Sequence, residues 1–367
     1  LDTQSRAGIP PVEDGHRLSS RRPDKERRKN GKHGNAVSAL QLRESSTRIY
    51  GALDLGTNNC RLLLATPGTT SFKVVDAFSR IVRLGEGVTR SGSLNEEAMR
   101  RTISAVRVCA NKLKWWQCTR HRLIATEACR MARNGPAFIE RVTAETGIEL
   151  EIIDRHTEAS LAVAGASALV DSKARTVLIF DIGGGSTELM WVDAINGRHE
   201  IIQWTSLPAG VVTLAEKFGG RDVSLDAFTR MRAYVRPMLS EFAQELCALD
   251  SDNAVPSHLL GTSGTVTTIC GVQLGLRRYD RSRVDGCWLR NEDIGEVTRQ
   301  LLAMPYRERA ASPCIGAERA DLVLAGCAIL EEIRETWPAA HVRVADRGLR
   351  EGILTQLMSE DSAYAQE

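Results

Sequence analysis

The chain's 367 residues are enough for two domains of ordinary size, each with its own core. Hydrophobic residues at 43%, charged residues at 26% and aromatics at 5% make the composition globular and the cores largely aliphatic. The net charge of +2 divides unevenly, with eleven Lys and Arg against six Asp and Glu in residues 1–48 and 37 against 40 in the remainder, so the folded part carries no basic excess of the kind that marks a nucleic-acid binder. No apolar stretch reaches the roughly 18 residues a bilayer span needs, and no apolar run follows the basic N-terminus as it would in a secretory signal. Nine cysteines without a C-x-x-C pair read as reduced thiols, with Cys109, Cys129, Cys247 and Cys327 packed as small hydrophobes. A cytoplasmic protein with no membrane association and no zinc site is the expectation.

In chain order, residues 1–47 hold Pro10, Pro11, Pro23 and a dense charge run with almost no periodic apolar residues, and are read as a disordered basic tail. Ile49 to Leu55, Arg61 to Thr66 and Ser71 to Asp76 read as three strands of an antiparallel meander. Ser93 and Glu96 suggest a capping box for a helix whose apolar face is Met99, Ile103, Val106, Ala110 and Leu113. A buried strand follows at Arg122 to Thr126. A helix from Pro136 to Thr146 is expected, with Asn134 as its cap and Gly147 as its stop. Glu149 to Asp154 reads as a strand and Thr157 to Val170 as an alanine-rich helix.

The order β-β-β-α-β-α-β-α then restarts. Thr176 to Ile182, Thr187 to Val192 and Glu200 to Trp204 form a second meander, and Leu214 to Phe218 and Leu225 to Leu249 are helical. His258 to Gly261 ends a strand, Glu318 to Glu335 is a helix, His341 to Ala345 is the last strand and Leu349 to Met358 the last helix. The repeat distance of about 127 residues, from Asp54 to Asp181, is too long for a solenoid and indicates a duplicated α/β domain. The expected boundaries are 48–172 and 173–345, with 346–360 as a final helix returning toward the first domain.

Chemistry concentrates in loops at matching positions of the two copies. The first is Asp54-Leu55-Gly56-Thr57-Asn58-Asn59 and the second Asp181-Ile182-Gly183-Gly184-Gly185-Ser186-Thr187-Glu188. Glycine lets the backbone turn its N–H groups onto an anion with no Cβ in the way. The hydroxyls of Thr57, Ser186 and Thr187 add donors. An aspartate beside each phosphate cradle would repel the phosphate, so Asp54 and Asp181 imply a Mg²⁺ (or Mn²⁺) ion held partly through water. A third loop, Gly261-Thr262-Ser263-Gly264-Thr265, opens a helix whose N-terminus suits phosphate. A fourth segment, Val344 to Gly352, again runs strand, turn, helix.

Together these segments resemble the exopolyphosphatase / guanosine pentaphosphate phosphatase (Ppx/GppA) family, in its short form, within the actin/sugar-kinase-like superfamily. The likeness runs from Tyr50 to Leu357. It includes Arg83-Leu84-Gly85-Glu86-Gly87-Val88, Ala125 to Asn134, Leu207-Pro208-Ala209-Gly210-Val211, Glu318-Arg319-Ala320-Asp321 and Asp346 to Gly352. The resemblance implies an α/β fold of two duplicated ribonuclease-H-like (actin-like ATPase) domains with an interdomain cleft. It also implies metal-assisted exolytic cleavage of a terminal phosphoanhydride, in polyphosphate or a guanine nucleotide, and a homodimer in some members.

By the same resemblance, Glu158 is the first candidate for the carboxylate that activates the attacking water, and Glu127 the second. Arg61 and Arg83 have guanidinium forks that match non-bridging phosphate oxygens. Two departures from the family are Asn59 in the first loop and Asp285, where a histidine is common. An ATP-dependent kinase of the sugar or acid kinase type, or a non-catalytic actin-like nucleotide-binding protein, would use the same scaffold.

Overall fold

The computed structural model describes residues 48–69, 71–249 and 255–364, so the expected tail over 1–47 lies outside the described residues. Strands β1 (Tyr50–Leu55), β2 (Asn59–Pro67), β3 (Phe72–Ile81), β4 (Arg120–Ala125) and β5 (Glu151–Ile152) form one sheet in the order β3-β2-β1-β4-β5. Strands β6 (Thr176–Ile182), β7 (Thr187–Asp193), β8 (Glu200–Leu207), β9 (His258–Thr262), β10 (Trp288–Arg290) and β11 (His341–Val344) form the other, in the order β10-β11-β9-β6-β7-β8. The two sheets share one plan. The first strand of each pairs antiparallel with the second and parallel with the fourth, and β10 is an antiparallel edge added to the second sheet. This is a duplicated, two-sheet α/β fold.

The apolar side chains make three layers. One lies on the outer face of the first sheet, around Leu53, Leu62, Val106 and Phe138. Another lies on the outer face of the second sheet, around Phe180, Phe228, Val266 and Ile329. Between them, the inner faces of both sheets close on the helices Arg155–Ala166 and Leu349–Tyr364, joining Ala52 and Leu63 to Ile179, Met190 and Ile353. The shared middle layer fixes the rims of the two sheets against each other, and the phosphate-type loops stand on those rims.

The two middle helices approach through glycine. A Cβ on Gly165 would sit 2.0 Å from the Gly348 carbonyl oxygen, and one on Gly352 would sit 2.1 Å from that of Leu161. Backbone cannot yield locally there, so the Gly352→Ala variant is expected to lose about 2 kcal/mol through overpacking, despite alanine's better helix propensity. A thermal midpoint equal to that of the wild type in calorimetry would refute this crossing.

Several element ends differ from the sequence expectation for identifiable reasons. The helix Glu96–Trp115 is capped by Asn95, whose side chain accepts from the Ala98 N–H at 2.7 Å, while Glu96 pairs with Arg141 instead of closing a box with Ser93. Asn134 does not cap the helix Gly135–Thr146. Its amide is committed in both directions to the Leu94 backbone. β5 is only two residues long because Asp154, expected in the strand, caps the next helix through the Thr157 N–H. The helix expected from Glu318 begins at Val323, after a series of turns that carries Arg319 and Asp321. Cys247, expected to be packed, is exposed. Among the described residues no helix is long and apolar enough to cross a membrane.

Candidate active site

Each phosphate-type loop is a tight turn at the rim of its sheet. The first is closed by the Gly56 N–H donating to the Asn59 carbonyl, the second by the Gly183 N–H donating to that of Ser186, both at 2.9 Å. The two turns face each other across the gap between the sheets. A Cβ on Gly184 would lie 2.9 Å from Cβ of Thr57, and one on Gly185 would lie 2.9 Å from the Thr57 hydroxyl and 3.1 Å from Cγ of Glu127. Bare backbone is therefore required at 184 and 185 by close approach.

Between the turns lies a cavity of about 130 Å³. Residues of the first turn, Gly56, Thr57 and Asn58, line it, as do Gly183, Gly184, Gly185 and Ser186 of the second. Ser263, Gly264 and Thr265 enter from the N-terminus of the helix Ser263–Gln273. Ser263 sits at φ 81, a left-handed conformation that is strained for a residue with a side chain. The buried side-chain oxygens Asn58 Oδ1 and Ser263 Oγ have no hydrogen-bond partner among the described residues. Unsatisfied buried polar atoms are costly, and here they line a cavity that an ionic ligand could fill.

The segments beside the turns brace them. The Val82 and Arg83 N–H groups both donate to the Asn58 carbonyl, and that of Gly85 to the Thr57 carbonyl. On the other side, Val211 and Val212 donate to the carbonyls of Gly183 and Gly184. Thr187 is fully buried, with its hydroxyl donated to the Ala209 carbonyl at 2.6 Å, so it closes the second turn and does not line the cavity. Gly261 and Thr262 are also outside the lining. Gly261 lies beneath the Phe180 ring, which a Cβ would approach to 2.5 Å. Arg83 stands apart as well. Its guanidinium binds both carboxylate oxygens of Asp321 at 2.9 and 3.0 Å, in a separate pocket.

The acids on the cavity floor are arranged by strand register. Asp54 is opposite Arg61 in the β1–β2 pair, and Asp181 is opposite Glu188 in the β6–β7 pair. The same position thus holds a cation in one half and a second acid in the other. Burial pushes Asp181 up to about 6. Burial and the facing Asp181 push Glu188 up to about 7, although the Ser186 and Ser206 hydroxyls donate to it at 2.6 and 2.9 Å. Burial also raises Asp54, against the pull of Arg61 and Arg350. Like charges opposite one another in a sheet are destabilising unless a counter-charge joins them. Glu188 ends the second loop motif, but the sequence assigns it no role.

Glu158 and Glu127 both reach the cavity from the first half. Glu158 lies in the first turn of the helix Arg155–Ala166, and burial followed by the Glu188 charge raises it well above the ordinary glutamate value. Burial would raise Glu127 too, but hydrogen bonds from Arg155 and Arg130 outweigh it and hold Glu127 below its usual value. Arg130 joins the two acids, at 2.6 Å to Glu127 and 2.8 Å to Glu158. His156, two residues before Glu158, is exposed and packs edge-on against Trp204.

The chain was compared with known proteins. The family model described as "Ppx/GppA phosphatase family" matches residues 64–361. Exopolyphosphatase 2 of Mycobacterium tuberculosis is 30% identical over 329 residues, covering 85% of this chain and 98% of that protein. A guanosine-5'-triphosphate,3'-diphosphate pyrophosphatase of Aeromonas salmonicida is 27% identical over 314 residues, and the match spans 85% of this chain but 60% of that protein. Among solved structures, an exopolyphosphatase from Cytophaga hutchinsonii superposes with a TM-score of 0.77 at 25% identity, covering 85% of this chain and 98% of that one. The Aquifex aeolicus Ppx/GppA family member gives 0.71 at 26% identity, with the same coverage. With the family model matching well over half its length, the chain belongs to the Ppx/GppA phosphatase family.

Proposed function

We propose that this protein is an exolytic phosphohydrolase that releases the terminal phosphate of inorganic polyphosphate or guanosine pentaphosphate. The observation that carries the proposal is the pair of turns facing each other so closely that a Cβ on Gly184 or Gly185 would lie 2.9 Å from Thr57, with a glutamate of raised pKa on the same cavity. Backbone N–H groups of both turns and the hydroxyls of Thr57 and Ser263 would hold the non-bridging oxygens, while the Ser186 hydroxyl stays on Glu188. Arg61 adds a guanidinium at the rim. Glu158, tied to Arg130 through one oxygen, keeps its other oxygen for the proton of an attacking water.

The donors on the floor suit a hard divalent cation, Mg²⁺ or Mn²⁺. Asp181 and Glu188 would hold it, with Asp54 facing the same cavity. Among the described residues no three acidic, histidine or cysteine side chains converge as a closed metal cage. That suits an ion bound by one or two carboxylates together with water and substrate oxygens. When bound, such an ion neutralises charge on the phosphoanhydride.

The test is phosphate release from medium-length polyphosphate, guanosine pentaphosphate and ATP, measured side by side with and without Mg²⁺. Release from either of the first two that is lost on chelation is expected. Release from none of them would overturn the reading, and phosphate transfer from ATP to an acceptor would favour a kinase.

A further inference from the structure

The terminal-phosphate cavity opens into a second one, of about 390 Å³, that shares Asp54, Arg61, Asp181 and Arg319 with the first. Its far wall is the turn before the last helix together with that helix's first residues, and Arg347 of the turn and Arg350 of the helix line it. The Arg350 side chain is only 16% exposed, and its one ion pair among the described residues is a loose 3.9 Å contact with Glu351. Glu351 is already engaged, accepting from Arg281 at 2.9 Å and from the Gly348 N–H at 3.0 Å. Asp346 is likewise held, by the Tyr279 hydroxyl at 2.7 Å. Glu351 and Asp346 are therefore engaged elsewhere, and the largely buried Arg350 guanidinium, drawn to Asp54 only at longer range, has no close ion pair among the described residues. A buried cation in that state is costly unless an anion joins it.

Arg347 is aimed by a neighbour. Asp285 accepts from its Nε at 2.8 Å and from the Asp346 N–H at 3.1 Å. One carboxylate thus fixes both the turn and the guanidinium, and leaves the two terminal nitrogens of Arg347 without a partner among the described residues. Asp285 stands where a histidine is common in the family, but the cleft keeps a cation beside it. The acid orients that cation.

Resting on the phosphohydrolase reading, we propose that Arg347 and Arg350 form a second anion subsite for the phosphates that follow the terminal one. The preferred ligand then has at least three phosphates in series, and Asp285 is a positioning residue for Arg347. Guanidinium forks suit this task because they grip two oxygens of one phosphate.

The test compares orthophosphate, which fills the terminal site alone, with bis(methylene)triphosphonate, a non-hydrolysable triphosphate mimic. Both are titrated calorimetrically into the full chain with Mg²⁺ present. Wild type is expected to bind the triphosphonate at least about tenfold tighter than orthophosphate. Arg347→Gln and Arg350→Gln should each weaken the triphosphonate roughly tenfold and leave orthophosphate unchanged. Asp285→Asn should weaken it less, and should add nothing in the Arg347→Gln background. Arg350→Gln risks misfolding because the site is buried, but Arg347, about a third exposed, carries the test alone. Equal losses for both anions, or no loss in the Arg347 variant, would overturn the subsite and leave the terminal-phosphate reading standing. A wild type that binds neither anion would overturn both.

Discussion

Glu158→Gln is expected to lower phosphate release by about 100- to 10,000-fold, the range a positioned general base contributes, with substrate binding nearly intact. The argument is a comparison of two buried acids on one cavity. Both oxygens of Glu127 are occupied: Oε2 by Arg130 at 2.6 Å and Oε1 by Arg155 at 2.8 Å. Glu158 commits only Oε2, to Arg130 at 2.8 Å. It is also held above its ordinary pKa, which makes it the stronger proton acceptor of the two. The acidic limb of the activity profile should accordingly lie above the usual carboxylate range. Glu127→Gln is expected to act through stability instead, because it removes the buried charge that Arg155 and Arg130 share, at a cost of roughly 1–3 kcal/mol, since Arg130 keeps Glu158 and the Ile153 carbonyl and Arg155 is partly exposed. Phosphate release and the thermal midpoint, measured on both variants, separate the roles. A Glu158→Gln protein that turns over like wild type would remove the assignment.

Glu188→Gln should have opposite effects on the metal-free and metal-bound protein. In the folded chain Glu188 is raised to about 7, above its value in an unfolded chain. A carboxyl shifted that way favours the folded state while protonated and disfavours it as pH rises through 7. At pH 8 in chelator, wild type therefore carries a penalty of roughly 3 kcal/mol that the glutamine variant lacks. The variant's midpoint should be several degrees higher at pH 8 and should match wild type near pH 4.5. With Mg²⁺ added the order should reverse, because only wild type keeps both carboxylates of the Asp181–Glu188 pair proposed to hold the cation. Identical Mg²⁺-induced stabilisation of both proteins would show that the ion binds elsewhere.

The legibility of this chain follows the range of the interactions involved. The glycine turns were readable because glycine, hydroxyl and acid lie within eight residues of one another. The duplication was readable because both copies use the same order of strand and turn. Glu188 was passed over although it stood at the end of a motif already singled out. Its meaning depends on facing Asp181 across a strand pair, and register is not a local property. The guanidinium fork of Arg83 matches non-bridging phosphate oxygens in the sequence reading. Its segment does brace the first loop, but through backbone, while the guanidinium reaches Asp321, 238 residues away in sequence. The anchoring of Asp346 and Arg347 by Asp285 spans 61 and 62 residues and left no periodic trace. Short elements such as β10, three residues long, fall below the length at which a pattern can be recognised.

Arg61 and Glu188 occupy one structural position in two copies of a single frame. The duplicated frame thereby carries a charge gradient across the gap, with a guanidinium on one bank and a second carboxylate on the other. On the proposed reading, a linear polyanion would meet a permanent positive charge on one bank and a metal-dependent one on the other, and the supply of metal would then bear on cleavage more than on capture.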